Sequence, residues 1–354
     1  MFYQNDWAFV CALEGRACRG WGIYVSGRNP VSPVGIDTAY ADLQGDIKFT
    51  ELVGSTLANV LQIQRLERQQ SSLRNFFSPL VLEAFADQDP EIALAPRQCE
   101  VSVLFCDLRG FATTSEKMAD DLLGLLSRVS DALGIMTRNI LDLDGVVGDF
   151  HGDAAMGFWG WPFARENTAF SACSAALAIQ DELAEIAQDE DHVLRDFQMG
   201  IGVATGTAVA GKIGTDDQVK VTAFGPVVNL AARLESTTRR FGTGVLLDKA
   251  TIDLLPPSHS FLTRRLFRMQ PYGLKSPTTL YQLISRHEGL DKAYLDEFSA
   301  LMTLLENGEW KDLANRLRQL EKPDPVKDFL VGFIQSHLET APDDWNGIIA
   351  FDTK

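Results

Sequence analysis

Two short runs of apolar, β-branched and aromatic residues open the chain, Trp7 to Leu13 and Gly20 to Ser26, separated by the polar stretch Glu14 to Arg19. Runs of this kind around a polar connector predict a hairpin or two adjacent strands. From Glu51 to about Arg74 the apolar period lengthens. Leu57, Leu61, Leu66 and Leu73 fall on a stripe of a predicted helix whose other positions carry charges and amides. Such a helix can pair with its own copy. Asn75 to Pro79 ends it at a proline, and a connector runs on to Pro96.

Strand-like and helix-like segments then alternate from about Glu100 to Ile284. Val101 to Phe105 reads as a buried strand, Ala119 to Leu143 as a long amphipathic helix, and Ala154 to Trp159 as a strand after a turn. Thr168 to Gln188 reads as a second helix, Met199 to Gly214 as two strands around glycines, and Val228 to Phe241 as a third helix. That order implies an α/β layer fold with helices packed on a sheet. After Ser285 the pattern becomes helical, in Lys292 to Leu320 and Asp324 to Leu338, with Gly308 and Trp310 near a turn. This resembles a single tetratricopeptide-like unit, and one unit has no neighbours against which to bury its faces, so it reads as a cap or docking appendage. The expected organisation is a sensor remnant over 1–55, a helical connector over 56–96, a catalytic domain over 97–286 and a helical appendage over 287–354.

Charge narrows the partners. The 354 residues carry a net charge of −16, which argues against nucleic acid or an anionic membrane surface. No apolar run approaches the roughly 20 residues needed to span a bilayer, and no signal segment precedes the first run, so a cytoplasmic location is expected. The five cysteines are odd in number and lack C-x-x-C spacing or a histidine partner, which favours reduced thiols over zinc or disulfides.

Three segments carry candidate chemistry. In Phe105 to Thr113 an acidic residue, Asp107, ends a hydrophobic strand before a small-residue turn into a helix. A carboxylate beside free backbone N–H groups holds Mg²⁺ together with phosphates, although taken alone Asp107 also reads as a helix cap. In Gly145 to Phe158, Gly152 and Asp153 form a tight turn between two apolar strands. Two strand-end carboxylates can bridge a pair of metals, which stabilise the attacking and leaving oxygens of an in-line displacement at phosphorus. In Phe224 to Glu235, Asn229 and Arg233 are four apart and share a helix face, where an amide and a guanidinium can orient a ribose and neutralise a reacting phosphate.

Together these segments, with Ala232 to Glu235 and the final strand Thr278 to Ile284, resemble the class III adenylate and guanylate cyclase catalytic domain from about Arg97 to Ile284. The resemblance implies an α+β, ferredoxin-like core with a mixed sheet. It also implies two divalent cations, Mg²⁺ or Mn²⁺, held by Asp107 and Asp153 with Leu108 beside them. Asn229 and Arg233 match the transition-state pair, Gly110 and Phe111 lie on the substrate side, and Lys275, in Tyr272 to Pro277, loosely matches a triphosphate-contacting lysine. The family works as a head-to-tail dimer, so Asp107 and Asp153 of one subunit are expected to face Asn229 and Arg233 of the other. The implied reaction is attack of a ribose 3′-hydroxyl on the α-phosphorus of a nucleoside triphosphate, giving the 3′,5′-cyclic monophosphate and pyrophosphate. The first strands and helix resemble the back end of a GAF domain. The front half of that fold is missing before Met1, so an internal or mispredicted start is the expectation.

Base selection departs from the pattern. Adenylate cyclases of this family usually carry a lysine where this chain has Asp149, and an aspartate or threonine where it has Thr222. Adenine N1 wants a donor and an ionised carboxylate is acceptor-only, so Asp149 leans towards guanine while Thr222 fits adenine. ATP and GTP both stay open, as does a solvated Asp149 that touches no base. His151 reads as a surface residue of the turn, and Trp159 and Trp161 as core or dimer-groove packing. A catalytically silent dimerising module is the alternative function, against which all four of Asp107, Asp153, Asn229 and Arg233 are present. A diguanylate cyclase or palm-type polymerase would want a GG[DE]EF hairpin where this one reads HGDAAM.

Overall fold

A computed structural model describes residues 7–27, 36–73, 77–86, 89–215, 217–271, 273 and 276–351. The chain divides into two compact units, 1–76 and 77–354. No helix among the described residues is long and apolar enough to cross a membrane.

In the first unit, strands β1 (Trp7–Ala12) and β2 (Gly22–Gly27) form an antiparallel hairpin that pairs Trp7 with Gly27. The long helix α1 spans Ile36–Leu73. It begins at Ile36 rather than at Glu51, because the intervening residues contain no proline and a single glycine, Gly45, which costs a helix only about 1 kcal/mol. Leu13, Cys18 and Ala58 form a small buried cluster with Ile23 and Leu61 packed on it. The expected leucine stripe therefore divides: Leu61 meets the hairpin, whereas Leu57 and Leu66 are exposed.

The second unit opens with α2 (Pro79–Ala86), α3 (Pro90–Ala93), β3 (Arg97–Leu108), α4 (Phe111–Lys117), α5 (Leu122–Asp142) and the hairpin of β4 (Val146–His151) and β5 (Ala154–Trp159). There follow α6 (Thr168–Ile186), β6 (Met199–Gly214), β7 (Val219–Phe224), α7 (Pro226–Phe241), β8 (Val245–Leu247) and α8 (Lys249–Asp253). The chain closes with β9 (Thr263–Gln270), β10 (Thr278–Leu283), α9 (Lys292–Glu306), α10 (Trp310–Gln319), α11 (Pro325–Ser336) and β11 (Ile348–Ala350). Among the described residues the strands form one nine-stranded mixed sheet in the order β11-β9-β10-β8-β6-β3-β5-β4, with β7 paired to β6.

Helices cover both faces. Alternation along β3 sends Val101 and Val103 into the cluster that holds Val227, Ala231 and Leu234 of α7. Leu104, Cys106 and Leu108 go to the other face, with Ile135 and Met136 of α5 and Ala172 and Ala176 of α6. A strand buried on both sides explains why Val101 to Phe105 is apolar but for Ser102, which is itself buried. Trp159 and Trp161 are both core residues.

Two expectations are corrected. Met199 to Gly214 is one continuous strand rather than two, paired with β3 from Leu108↔Met199 to Arg97↔Ala210. Its glycines serve close packing instead of a turn: a Cβ at Gly202 would lie 2.2 Å from both Ala231 O and Glu235 N of α7. The tail after Ser285 belongs to the same compact unit as the sheet. Phe298, Leu313 and Leu330 of its three helices share one core cluster with Phe267 of β9, and β11 adds a parallel edge to β9. The buried Arg264 of β9 is ion-paired with Asp324, which also caps α11 by accepting from Val326 N, and Tyr294 of α9 donates to Asp324 at 2.8 Å.

Candidate active site

Asp107 and Asp153 reach one spot from two adjacent strands. Asp107 lies one residue before the end of β3, and Asp153 lies in the turn between β4 and β5. Cys106 pairs with Ala155 in the ladder, so the end of β3 and the hairpin tip are neighbours. The two carboxyls are close enough for each to influence the other's ionisation. Burial and the nearby charge of Asp107 push the Asp153 carboxyl up to about 6. Burial also raises Asp107, against the Arg239 guanidinium and the Leu108 N–H, which favour its anion. Gly110, beyond the strand, takes φ 73° as the N-cap of α4, a left-handed conformation that suits glycine, and Phe111 follows it against the core. Leu108 itself is buried.

No group of three or more His, Cys, Asp or Glu side chains poised for a metal occurs among the described residues. Two opposed carboxylates without a third fit a hard cation that keeps waters and takes substrate phosphates as its further ligands, as Mg²⁺ does.

Helix α7 carries the other half of the expected constellation. Pro226 at its first position and Gly242 in the left-handed conformation at its end bound it. Asn229 and Arg233 occupy one face, Asn229 exposed and Arg233 half-buried. A methyl group at Gly273 would lie 3.8 Å from Arg233 Nη2, so the β9–β10 loop passes that guanidinium. Lys275, in the same loop, lies outside the described residues.

Two residues that the sequence pattern did not single out lie on another face of the helix. Glu235 is pushed up to about 8 by burial and then by the charge of Asp107, with Arg239 and Arg109 opposing. Glu235 and Arg239 are i and i+4, centred about 120° around the axis from Asn229 and Arg233. Glu235 and Arg239 both interact electrostatically with Asp107 and Asp153 of their own chain. Their signal was legible, since Glu235 falls among the buried positions Ala231, Leu234 and Thr238. Arg109 donates to Thr243 O while its buried Nε has no partner.

The expected base-side residues also come together. Asp149 of β4 and Thr222 of β7 belong to contacting strands, and a Cβ at Gly148 would lie 3.2 Å from Thr222 Oγ1. Asp149 is ion-paired with Lys220 at 2.9 Å. Burial raises the Asp149 carboxyl, but the Lys220 and Phe150 hydrogen bonds and the nearby cations outweigh it, leaving it below the usual range. His151 is exposed, with Nε2 3.5 Å from Asp149 Oδ2.

Residues 94–285 match the family model described as the adenylate and guanylate cyclase catalytic domain. The chain belongs to that family. Adenylate cyclase 1 of Rhizobium meliloti is 33% identical to this chain over 155 residues, 43% of the chain and 23% of that protein. The adenylate cyclase of Anabaena cylindrica is 27% identical over 213 residues, 58% of the chain and 41% of that protein. The chain thus covers less than half the length of either relative. A solved bacterial light-regulated adenylyl cyclase has the same fold, at a TM-score of 0.57 and 21% identity over 66% of this chain and 64% of that one. The first unit and helices α9 to α11 lie outside the cyclase match.

Proposed function

We propose that the chain converts a nucleoside triphosphate into its 3′,5′-cyclic monophosphate and pyrophosphate, at sites shared between two copies. The observation that carries this reading is the meeting of Asp107 and Asp153 at adjacent strand ends in a chain of the cyclase family. Two like charges held together unpaired are costly, and a divalent cation relieves that cost. Asp107 and Asp153 would hold two such cations with the Leu108 backbone beside them, and Gly110 and Phe111 would line the phosphate side. Bound there, the cations would neutralise the triphosphate and acidify the ribose 3′-hydroxyl.

The remaining work falls to α7. Asn229 orients the ribose, and Arg233 compensates the charge that develops on the α-phosphoryl group, so catalysis is positioning and electrostatics. The 3′-oxygen bonds to the α-phosphorus as the bond to pyrophosphate breaks, and the hydroxyl proton leaves to solvent. No protein nucleophile is needed. Lys275 is carried only by its loose match to the family's triphosphate-contacting lysine.

The proposed assembly is a homodimer. Glu235 and Arg239 engage the aspartates of their own chain from one face of α7, and in the proposed dimer Asn229 and Arg233, on another face, would meet those of a second copy. Exposed apolar residues beside the base-side strands support a second copy: Phe224, 72% exposed, pairs across the ladder with the exposed Val209, and Phe150 and Val219 are exposed nearby. An isologous dimer would then contain two equivalent composite sites.

The test is incubation of the purified chain with ATP, GTP, CTP and UTP separately, with Mg²⁺ or Mn²⁺, and identification of products by mass. The expected result is a cyclic monophosphate and equimolar pyrophosphate, lost on chelation and in Asp107→Ala. A folded dimer that turns over none of the four would replace this reading with that of a silent dimerising module.

A further inference from the structure

The carboxylate of Asp149 is already occupied. Lys220 Nζ donates to both of its oxygens at 2.9 Å, and the Phe150 N–H donates to Oδ1 at 2.9 Å. Each carboxylate oxygen offers about two lone-pair positions. Oδ1 is therefore filled, and one position is left on Oδ2, on the side where His151 Nε2 stands 3.5 Å away. Lys220 in turn uses two of its three N–H donors on Asp149, and the third has no partner among the described residues.

Lys220 and Thr222 are two apart on β7, opposite Ile213 and Gly211 of β6, so their side chains leave the same face of the strand. The Thr222 hydroxyl lies over Gly148, next to Asp149. Gly225 alone separates β7 from α7, so this cluster stands at the foot of the helix bearing Asn229 and Arg233. What it offers a ligand is one cationic N–H, one hydroxyl and one crowded acceptor.

We propose that Lys220 is the residue that selects the purine, and that the base it selects is adenine. The inference rests on the cyclase reading above and adds a residue and a direction to it. Adenine presents an acceptor, N1, beside a donor, the 6-amino group. The free N–H of Lys220 meets N1, and Thr222 Oγ1 accepts from the amino group. Guanine presents the O6 acceptor and two donors, N1–H and the 2-amino group. Lys220 can meet O6, but both donors then compete for the single position left on Asp149. A site that leaves a buried donor unpaired loses more than a hydrogen bond gains. Asp149 alone would favour guanine, and the ion pair reverses that preference.

The experiment compares kcat/KM for ATP and GTP in the full chain and in Lys220→Met. Wild type should prefer ATP. Lys220→Met removes the donor for N1 and frees the Asp149 oxygens, so the ATP value should fall about tenfold or more while the GTP value holds or rises. The Lys220 side chain is half-exposed, so a thermal scan should find the variant folded. Should it not fold, Thr222→Val is the second variant, expected to lower the ATP value without raising the GTP value. Competition binding of 3′-deoxy-ATP and 3′-deoxy-GTP, which cannot cyclise, should rank the bases in the same order. A wild type that prefers GTP, or a ratio unchanged in Lys220→Met, overturns the proposal. Absence of any cyclic product in wild type contradicts the cyclase reading instead, and the 3′-deoxy nucleotides then still decide whether Lys220 selects the base.

Discussion

Gly202 sets how closely α7 approaches β6. A Cβ there would overlap Ala231 O and Glu235 N at 2.2 Å, and these are backbone atoms of a helix that cannot yield locally. Gly202→Ala must displace α7 or strain β6, so it should cost about 1–3 kcal/mol in thermal or denaturant unfolding. It should also depress turnover beyond any loss of folded protein, because Asn229 and Arg233 ride on the displaced helix. A Gly202→Ala variant of native stability and native activity would contradict the close contact. At this scale the sequence is uneven as a guide. Asp107 and Asp153 are legible in it because a carboxylate at the end of an apolar strand run breaks the pattern of burial at a single position. Lys220 is not, because its meaning depends on an ion pair across two strands distant in sequence. Without that pair in view, Asp149 reads as a bare carboxylate.

Elements with one buried face declare themselves through their period, as the helix α5 and the strand β4 do. Strand β6 does not, since Gly200, Gly202, Gly206 and Gly211 resemble turn punctuation until the helix above them is known. The tail is legible as helices and not as part of the core, because helical periodicity names a face that must be buried without naming its partner. Its anchor is a buried polar group. Arg264 and Asp324 are ion-paired with fully buried side chains, and Gln282 and Tyr294 complete the network. Asp324→Asn keeps a cap for α11 but leaves the Arg264 charge without its counter-charge, which should cost about 3–5 kcal/mol in denaturant unfolding. Burial raises the Asp324 carboxyl, but Arg264, Tyr294 and the Val326 N–H more than offset it, so its net direction is down. A lowered folded-state pKa contributes stability above the unfolded value of about 3.9 and loses it as pH falls below that value. Acid unfolding of the wild type below about pH 4 should therefore carry a component that Asp324→Asn lacks, and identical acid limbs would contradict it.

On the scale of the whole molecule, the family is legible in the order of three motifs, each weak alone. The proposed division of labour between two copies comes from the family resemblance and not from the pattern of residues, because no pattern within one chain tells which face of α7 meets which aspartates. Glu235 and Arg239 answer the chain's own Asp107 and Asp153 from one face of α7, and Asn229 and Arg233 occupy a face about 120° away. The most direct test is complementation. Asp107→Ala and Arg233→Ala should each be inactive as homodimers. In an equal mixture of proven heterodimer content, random pairing gives half heterodimers, each with one intact site of two, and turnover should return to about a quarter of wild type. Continued inactivity of that mixture would contradict a site shared between subunits.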